Sequence, residues 1–285
     1  MRIGAHISTA GGLNKAVDRA VELGAETIQC FCSSPQSWAF KPIPEEETSA
    51  FRRKAEVARI GPAFLHGIYL VNMGTTNTEN RQKGIESLIN YMKVISAMGG
   101  AGVIFHAGSH KGAGFEDIFK QTVSSFKDVL SSSPQDVWLV IENSAGMGNH
   151  IGSKFAEIGQ IMEAVDDTRM KVCLDTQHCF AAGYDMVTQK GIEKAMDEFD
   201  REIGLSNLVA VHANDSKTPF ASGVDRHENL GEGHMGLDAF VAIMSHPAFR
   251  DVPFILEVPG FDNKGPDKQN MEALKRIRIK VGLSE

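Results

Sequence analysis

"VCLDTQHCFAAGYD", residues 172–185, runs an apolar, β-prone stretch straight into Asp175 and places His178 three residues later. Carboxylates are seldom buried unless paired or bound to a metal, so the informative question is whether the chain does this again. It does. "PAFLHG" closes on His66, "GVIFHAG" on His106, "VWLVIEN" on Glu142, "LVAVHAND" on His212 and "PFILEVP" on Glu257. "RIGAHIS" and "ETIQCFC" end near His6 and Cys32. These runs are rich in Val, Ile, Leu and Phe and are continuous rather than alternating, which suits strands buried on both faces of a parallel sheet. Helical patterns lie between them: "GLNKAVDRAVELG" up to Gly24, "RQKGIESLINYMKVISAMGG", "SKFAEIGQIMEAV" with Ser153 as its expected N-cap, "GIEKAMDEFDREIG" and "DKQNMEALKRIRIKVG". The run ends recur at intervals of 26 to 45 residues, the length of one strand, loop and helix. Eight such units predict an α/β chain closed into a single (β/α)8 TIM barrel over residues 1–285, with no linker interrupting it.

Composition is that of an ordinary globular chain, 42% hydrophobic and 23% charged. The opening "MRIGAHIS" has no apolar stretch of the secretory type, and no run approaches the roughly 18 apolar residues of a membrane span. Cys30, Cys32, Cys173 and Cys179 lie in or beside apolar runs and read as buried free thiols of a cytoplasmic protein, with Cys30 and Cys32 on one face of a strand. A thiolate zinc site would need further ligands at suitable spacing, and none is obvious. The formal charge of −7 argues against a nucleic-acid partner unless the acids are themselves neutralised.

A barrel places all its strand C-termini on one rim, where active sites are built. His66, His106, Glu142, Asp175, His212 and Glu257 would therefore converge, with His178, Asp225 and His227 supplied by rim loops. Each one alone has a plainer reading, as a hydrogen-bonded structural histidine or a helix N-cap acid. Together, four acids and five histidines would repel or stay unsatisfied, and metal cations remove that conflict. Oxygen and nitrogen ligands without thiolate suit Zn²⁺, with Mn²⁺ or Fe²⁺ as substitutes. A catalytic zinc takes about three protein ligands, so this set points to a multinuclear site of about three ions. Such ions would offset the four acids, and the rim loops also carry Lys111, Lys154, Lys217 and Arg226. The net charge then leaves a polyanionic substrate open.

The stretches "GAHISTAGGL", "HGIYLVNMG", "FHAGSH", "IENSAGMG", "CLDTQHCFAAGYD", "VHANDSK", "DRHENLGEGHMG" and "ILEVP", in this order, resemble the endonuclease IV family of zinc-dependent apurinic/apyrimidinic endonucleases. The resemblance covers essentially the whole chain. It implies that His66, His106 and Glu142 hold a first ion, with Glu142 bridging to a second completed by Asp175, His212 and Glu257. His178, Asp225 and His227 would hold the third. It implies duplex DNA as partner, cut on the 5′ side of an abasic site by a metal-activated hydroxide, with trimming of blocked 3′ ends, and a monomer. Tyr69 and Leu70 match side chains that the family pushes into the duplex, and Trp38 its loop tryptophan. Where the family carries Asn-x-Arg before that tryptophan, this chain has Ser34 and Gln36, so the basic wedge is missing and Gln36 is the expected DNA contact. Gln177 and Val258 depart where Cys and Thr are usual.

Two other functions remain compatible with acids and histidines on a barrel rim. A metal-dependent sugar isomerase or epimerase of the xylose-isomerase-like group would gather similar residues, though with one or two ions and a lysine or paired carboxylates for proton transfer. A non-catalytic barrel that binds DNA is the other.

Overall fold

In the computed structural model, residues 1–283 are described, so the expected domain end at residue 285 lies outside them. Eight parallel strands close into a barrel. They are β1 (Ile3–His6), β2 (Thr27–Cys30), β3 (Ala63–His66), β4 (Gly102–His106), β5 (Trp138–Glu142), β6 (Met170–Asp175), β7 (Leu208–His212) and β8 (Phe254–Leu256). Each pairs with its sequence neighbours, and β8 closes against β1 through Ile3–Phe254 and Ala5–Leu256. The helices are α1 (Leu13–Leu23), α2 (Glu45–Ala58), α3 (Thr78–Ala97), α4 (Phe115–Ser131), α5 (Phe155–Val165), α6 (Thr176–Ala182), α7 (Gln189–Glu202), α8 (Leu237–Ser245) and α9 (Lys268–Lys280).

Strand side chains alternate between two cores, because successive residues of a strand face opposite sides. Outward residues such as Leu65, Val103, Phe105, Leu139, Ile141, Val172, Leu174 and Val211 pack under the helices in the large core. Inward, Phe64, Ile104, Val140, Cys173, Ala210 and Ile255 form a separate apolar plug. Each plug residue sits two positions before a strand-end acid or histidine: His66, His106, Glu142, Asp175, His212 and Glu257. The period of two therefore lays a hydrophobic floor directly beneath the polar rim. It also explains why the strands read as unbroken apolar runs.

Two local expectations change. Ser153 is not the N-cap of α5; that position is Lys154, which makes no side-chain cap. β2 stops at Cys30, paired with Leu65, so Cys32 lies beyond the strand rather than on its face. The inward residue near the end of β2 is Gln29, fully buried. All four cysteines are free, and burial pushes the Cys30 and Cys173 thiols up to about 12, which leaves them uncharged. Among the described residues no helix is long and apolar enough to cross a membrane.

Candidate metal centre

The rim cavity measures about 740 Å³ and opens over the apolar floor. At its base lies Glu142, whose two oxygens face different histidines. Oε2 is 3.1 Å from His66 Nε2 and 3.5 Å from His106 Nε2, while Oε1 is 3.0 Å from His212 Nδ1 and 3.2 Å from His178 Nδ1. Three groups of potential ligand atoms result, each drawn together within 4.8 Å: His66, His106 and Glu142; Glu142, Asp175, His212 and Glu257; and Asp175, His178 and His227. Asp225 flanks the last group, with Oδ1 3.2 Å from His178 Nε2 and 3.5 Å from His227 Nε2. The structure thus gathers all nine rim residues into one cluster, seven of them lining the cavity and Asp175 and His212 fully buried behind it. In the tightest third grouping it sets Asp175 where the family resemblance put Asp225, which is the more exposed of the two.

The histidines carry a test of whether cations fit. His66 Nδ1 lies 2.8 Å from the Gly67 carbonyl, His178 Nδ1 2.9 Å from the Asn143 carbonyl and His227 Nδ1 3.4 Å from the Glu257 carbonyl. A carbonyl only accepts, so each ring donates from Nδ1 and turns Nε2 toward the carboxylates. Bare nitrogens and carboxylate oxygens then face one another at 3.1 to 3.6 Å, an arrangement that repels unless a cation or proton lies between them. His178 Nε2 and His227 Nε2 are buried without a hydrogen bond, as is His106 Nδ1. A ring N–H donated to a carbonyl with the other nitrogen free is the usual setting of a metal-ligating histidine.

The electrostatics agree. Burial pushes the Glu142 carboxyl up, but His106, His212 and His178 outweigh it and hold it well below the usual carboxylate range. Burial lowers the proton affinity of His178, yet Asp175, Asp225 and Glu142 together raise it well above normal. Burial pushes His106 down to about 4. A cluster of this kind draws in positive charge, as protons or as metal ions.

Local structure delivers these groups. Asp175 ends β6 and also caps α6, accepting from the His178 N–H at 2.9 Å, so the plainer reading of this acid holds alongside the ligand geometry. Its other oxygen accepts from Asn214 at 2.7 Å, and Asn214 Oδ1 accepts from the Glu257 N–H at 2.9 Å. Asn143 accepts from the Asp175 N–H at 2.7 Å. Asp225 and His227 ride on a loop closed by a short ribbon, Asp215–Ser216 against His227–Glu228. Asp215 is a buried rim acid of the opposite kind. It accepts backbone N–H groups of Gly231, Gly233, Met235 and Gly236 at 2.9 to 3.2 Å, and a Cβ on Gly233 would meet its Oδ1 at 2.4 Å. Fully used by donors, it anchors the turn of residues 231–236 that follows the ribbon and leaves no lone pair for an ion. Gln177 ties α6 to the same loop through Ser216 and Val224.

Tyr69 and Leu70 are exposed; Tyr69 stands between the main cavity and a neighbouring cleft of about 480 Å³, and Leu70 lines that cleft. Gln36 is exposed at the apex of a turn closed by Ser37 N–H to Ser34 O. The Tyr69 N–H donates to Pro35 O at 2.9 Å, so the Gln36 turn and the Tyr69–Leu70 loop lie side by side. Trp38, Tyr69 and Leu70 share the lining of the second cleft with Lys111. Arg226 lines the main cavity, whereas Lys217 reaches Glu228 at 3.8 Å and Lys154 lines neither. Sequence reasoning missed Gln29, Asn143, Asn214 and Lys264, the last on the loop before α9. A polar residue inside an apolar run, as in "TIQC", was the one available signal.

A closed parallel barrel with clustered acids and histidines able to hold metal at its C-terminal rim defines a metal-dependent enzyme of the TIM-barrel class, and residues 17–278 match the family described as xylose isomerase-like TIM barrel. A protein named "Probable endonuclease 4" from Halothermothrix orenii is 37% identical over 277 residues, covering 97% of this chain and 100% of its own. One of the same name from Aquifex aeolicus is 34% identical, covering 96% of each. The crystal structure of endonuclease IV from Thermus thermophilus superposes with a TM-score of 0.86 at 31% identity, over 98% of this chain and 100% of that one. The chain belongs to the endonuclease IV family, the metal-dependent DNA-repair endonucleases that its motifs resemble. A D-tagatose 3-epimerase-like protein superposes with a TM-score of 0.76 but 15% identity, a likeness of fold alone.

Proposed function

We propose that this chain hydrolyses the phosphodiester on the 5′ side of abasic sites in duplex DNA, leaving a 3′-hydroxyl and a 5′-deoxyribose phosphate, and that it trims blocked 3′ ends. It does so as a monomer of one barrel domain, residues 1–285, in the cytoplasm. Its ligands would hold three zinc ions: His66, His106 and Glu142 the first; Glu142, Asp175, His212 and Glu257 the second; His178, His227 and Asp225, beside Asp175, the third. Bound there, divalent ions supply Lewis acidity toward the phosphate and lower the pKa of water toward neutrality.

The chain's own residues do the rest. Glu142, with each oxygen aimed at a different histidine group, would serve both adjoining cation sites. Arg226 and Lys264 at the cavity mouth attract the phosphate backbone. Tyr69 and Leu70 present apolar surface that can wedge into a base stack, and an abasic nucleotide unstacks most cheaply. The observation that carries the reading is the set of histidines whose bare nitrogens face buried carboxylates around Glu142.

Incubating the zinc-loaded chain separately with an abasic duplex and with a ketose tests it. The expected result is a single nick 5′ to the lesion and no epimerised sugar. Sugar conversion with an intact duplex would overturn the proposal in favour of the isomerase reading.

A further inference from the structure

Gln29 is fully buried inside the barrel, on the one strand among β2 to β8 that brings no acid or histidine to the rim. Its amide meets three groups. Nε2 lies 2.6 Å from Glu257 Oε1 and 2.9 Å from His6 Nδ1, and Oε1 lies 2.8 Å from His212 Nε2. An ionised carboxylate only accepts, so the amide NH₂ must face Glu257. The reverse orientation would set two acceptor oxygens 2.6 Å apart. The carbonyl end therefore faces His212, which must donate from Nε2. Its Nδ1 is left bare, 3.0 Å from Glu142 Oε1 and 3.1 Å from Glu257 Oε2.

The same NH₂ has a second hydrogen, and it reaches His6 Nδ1. That nitrogen accepts, so a neutral His6 carries its proton on Nε2. His6 lines the main cavity, its ring held against Phe31 at a centroid distance of 4.5 Å. A phosphate oxygen accepts and never donates, so an N–H in this cavity attracts it where a bare nitrogen would repel it.

We infer that Gln29 is a positioning residue whose one amide sets the proton positions of two histidines, leaving Nδ1 of His212 bare for a cation and offering Nε2–H of His6 to a phosphate oxygen of the substrate. The inference rests on the proposed reading of His212 and Glu257 as metal ligands. Its rival is already in the geometry: Glu257 Oε1 is also 3.2 Å from His6 Nδ1. If His6 donated there, its Nε2 would be bare and could not bind phosphate.

Nitrogen-15 NMR of the zinc-loaded, histidine-labelled full chain decides between them without any mutation. The expected pattern is a proton on Nε2 of His6 with Nδ1 bare, and a proton on Nε2 of His212. A proton on Nδ1 of His6 overturns the inference. Gln29→Met keeps the bulk and removes both donor and acceptor. Competition with a chromophoric chelator should then show one zinc bound about 10- to 100-fold more weakly. His6→Ala should keep parent zinc affinity and bind an abasic duplex more weakly. A folded Gln29→Met variant with parent zinc affinity overturns the role toward His212. If the parent binds no zinc, the ligand reading itself falls. If zinc binds and the protons sit elsewhere, only this inference does.

Discussion

Both ends of the barrel gather ionisable side chains, and they reach opposite outcomes. At the N-terminal face, Arg278 donates to both oxygens of Glu26 at 2.6 and 3.0 Å, and the Ile3 N–H adds a third bond at 2.9 Å. Arg2 donates from Nη1 to the carbonyls of Glu26, Arg59 and Gly61 at 2.7 to 3.1 Å. Donors and acceptors match. At the C-terminal rim they do not. The buried polar side-chain atoms without a hydrogen bond, among the described residues, are on His106, Ser144, Gln177, His178 and His227, at the end of β4 or in segments beyond strand C-termini. Buried polar groups are nearly always satisfied. The difference teaches that polarity at a barrel end is not itself a functional sign. The sign is an imbalance of buried histidine nitrogens and carboxylates that added positive charge resolves, and proteins accept such local conflict where they function.

The largest effect expected from disturbing this contrast is at Glu142. Glu142→Gln keeps the shape and removes the charge and the capacity to bridge two ions. Cleavage of an abasic duplex should be nearly abolished while DNA binding, followed by fluorescence anisotropy, is largely retained. Cleavage within about tenfold of the parent, equivalent to about 1.4 kcal/mol or less, would show that Glu142 does not organise the reacting water.

At the opposite end, Glu26→Gln should cost stability and leave chemistry alone. Burial pushes the Glu26 carboxyl up, but Arg278 and the Ile3 N–H outweigh it and hold it below the ordinary value. A depressed carboxyl contributes stability above its unfolded pKa of about 4.3 and loses it as pH falls through the lower folded value. Urea unfolding at neutral pH should therefore show a loss of about 1.5–3 kcal/mol, a gap that narrows below about pH 4. A gap independent of pH would mean that the charge contributes nothing. A fall in cleavage rate would blur the division between the two ends.

The smallest effect is expected at the rim's edge. Gln36→Arg adds a permanent charge and a planar head at the turn beside Tyr69. Binding to an abasic duplex should tighten by about 1 kcal/mol, the lower end of what one good contact supplies, with the salt slope of log K steeper by at most about one unit. Titrations at several salt concentrations measure both. Unchanged or weaker binding would place residue 36 away from the duplex, as the exposed turn around Pro35 permits.

How much of this was legible in the sequence follows from side-chain period and strand length. The barrel could be read because both faces of β3 to β8 are apolar, and its rim because His66, His106, Glu142, Asp175, His212 and Glu257 each end a run. Helices α2, α4 and α8 lay in the gaps between strands and were passed over. α6 has almost all of its residues buried, so no amphipathic pattern marks it. Gln29 was hidden inside an apolar run whose end the sequence suggested was Cys32. Asn143 and Asn214 stand next to ligand positions and act by hydrogen bonds that only the folded chain brings together. The pairing of Asp175 with His178 and His227 was likewise invisible, because it depends on the ribbon that pairs Ser216 with His227.

The account stands most directly on the claim that the rim's imbalance is a binding site for several cations. Elemental analysis of the purified chain, with cleavage measured on the same sample, tests it. We predict about three divalent ions per chain, mostly zinc, in line with about three ligands for each, and activity that falls when a chelator strips them and returns when zinc is restored. A chain that carries one ion or none and still cleaves at its full rate would contradict the account.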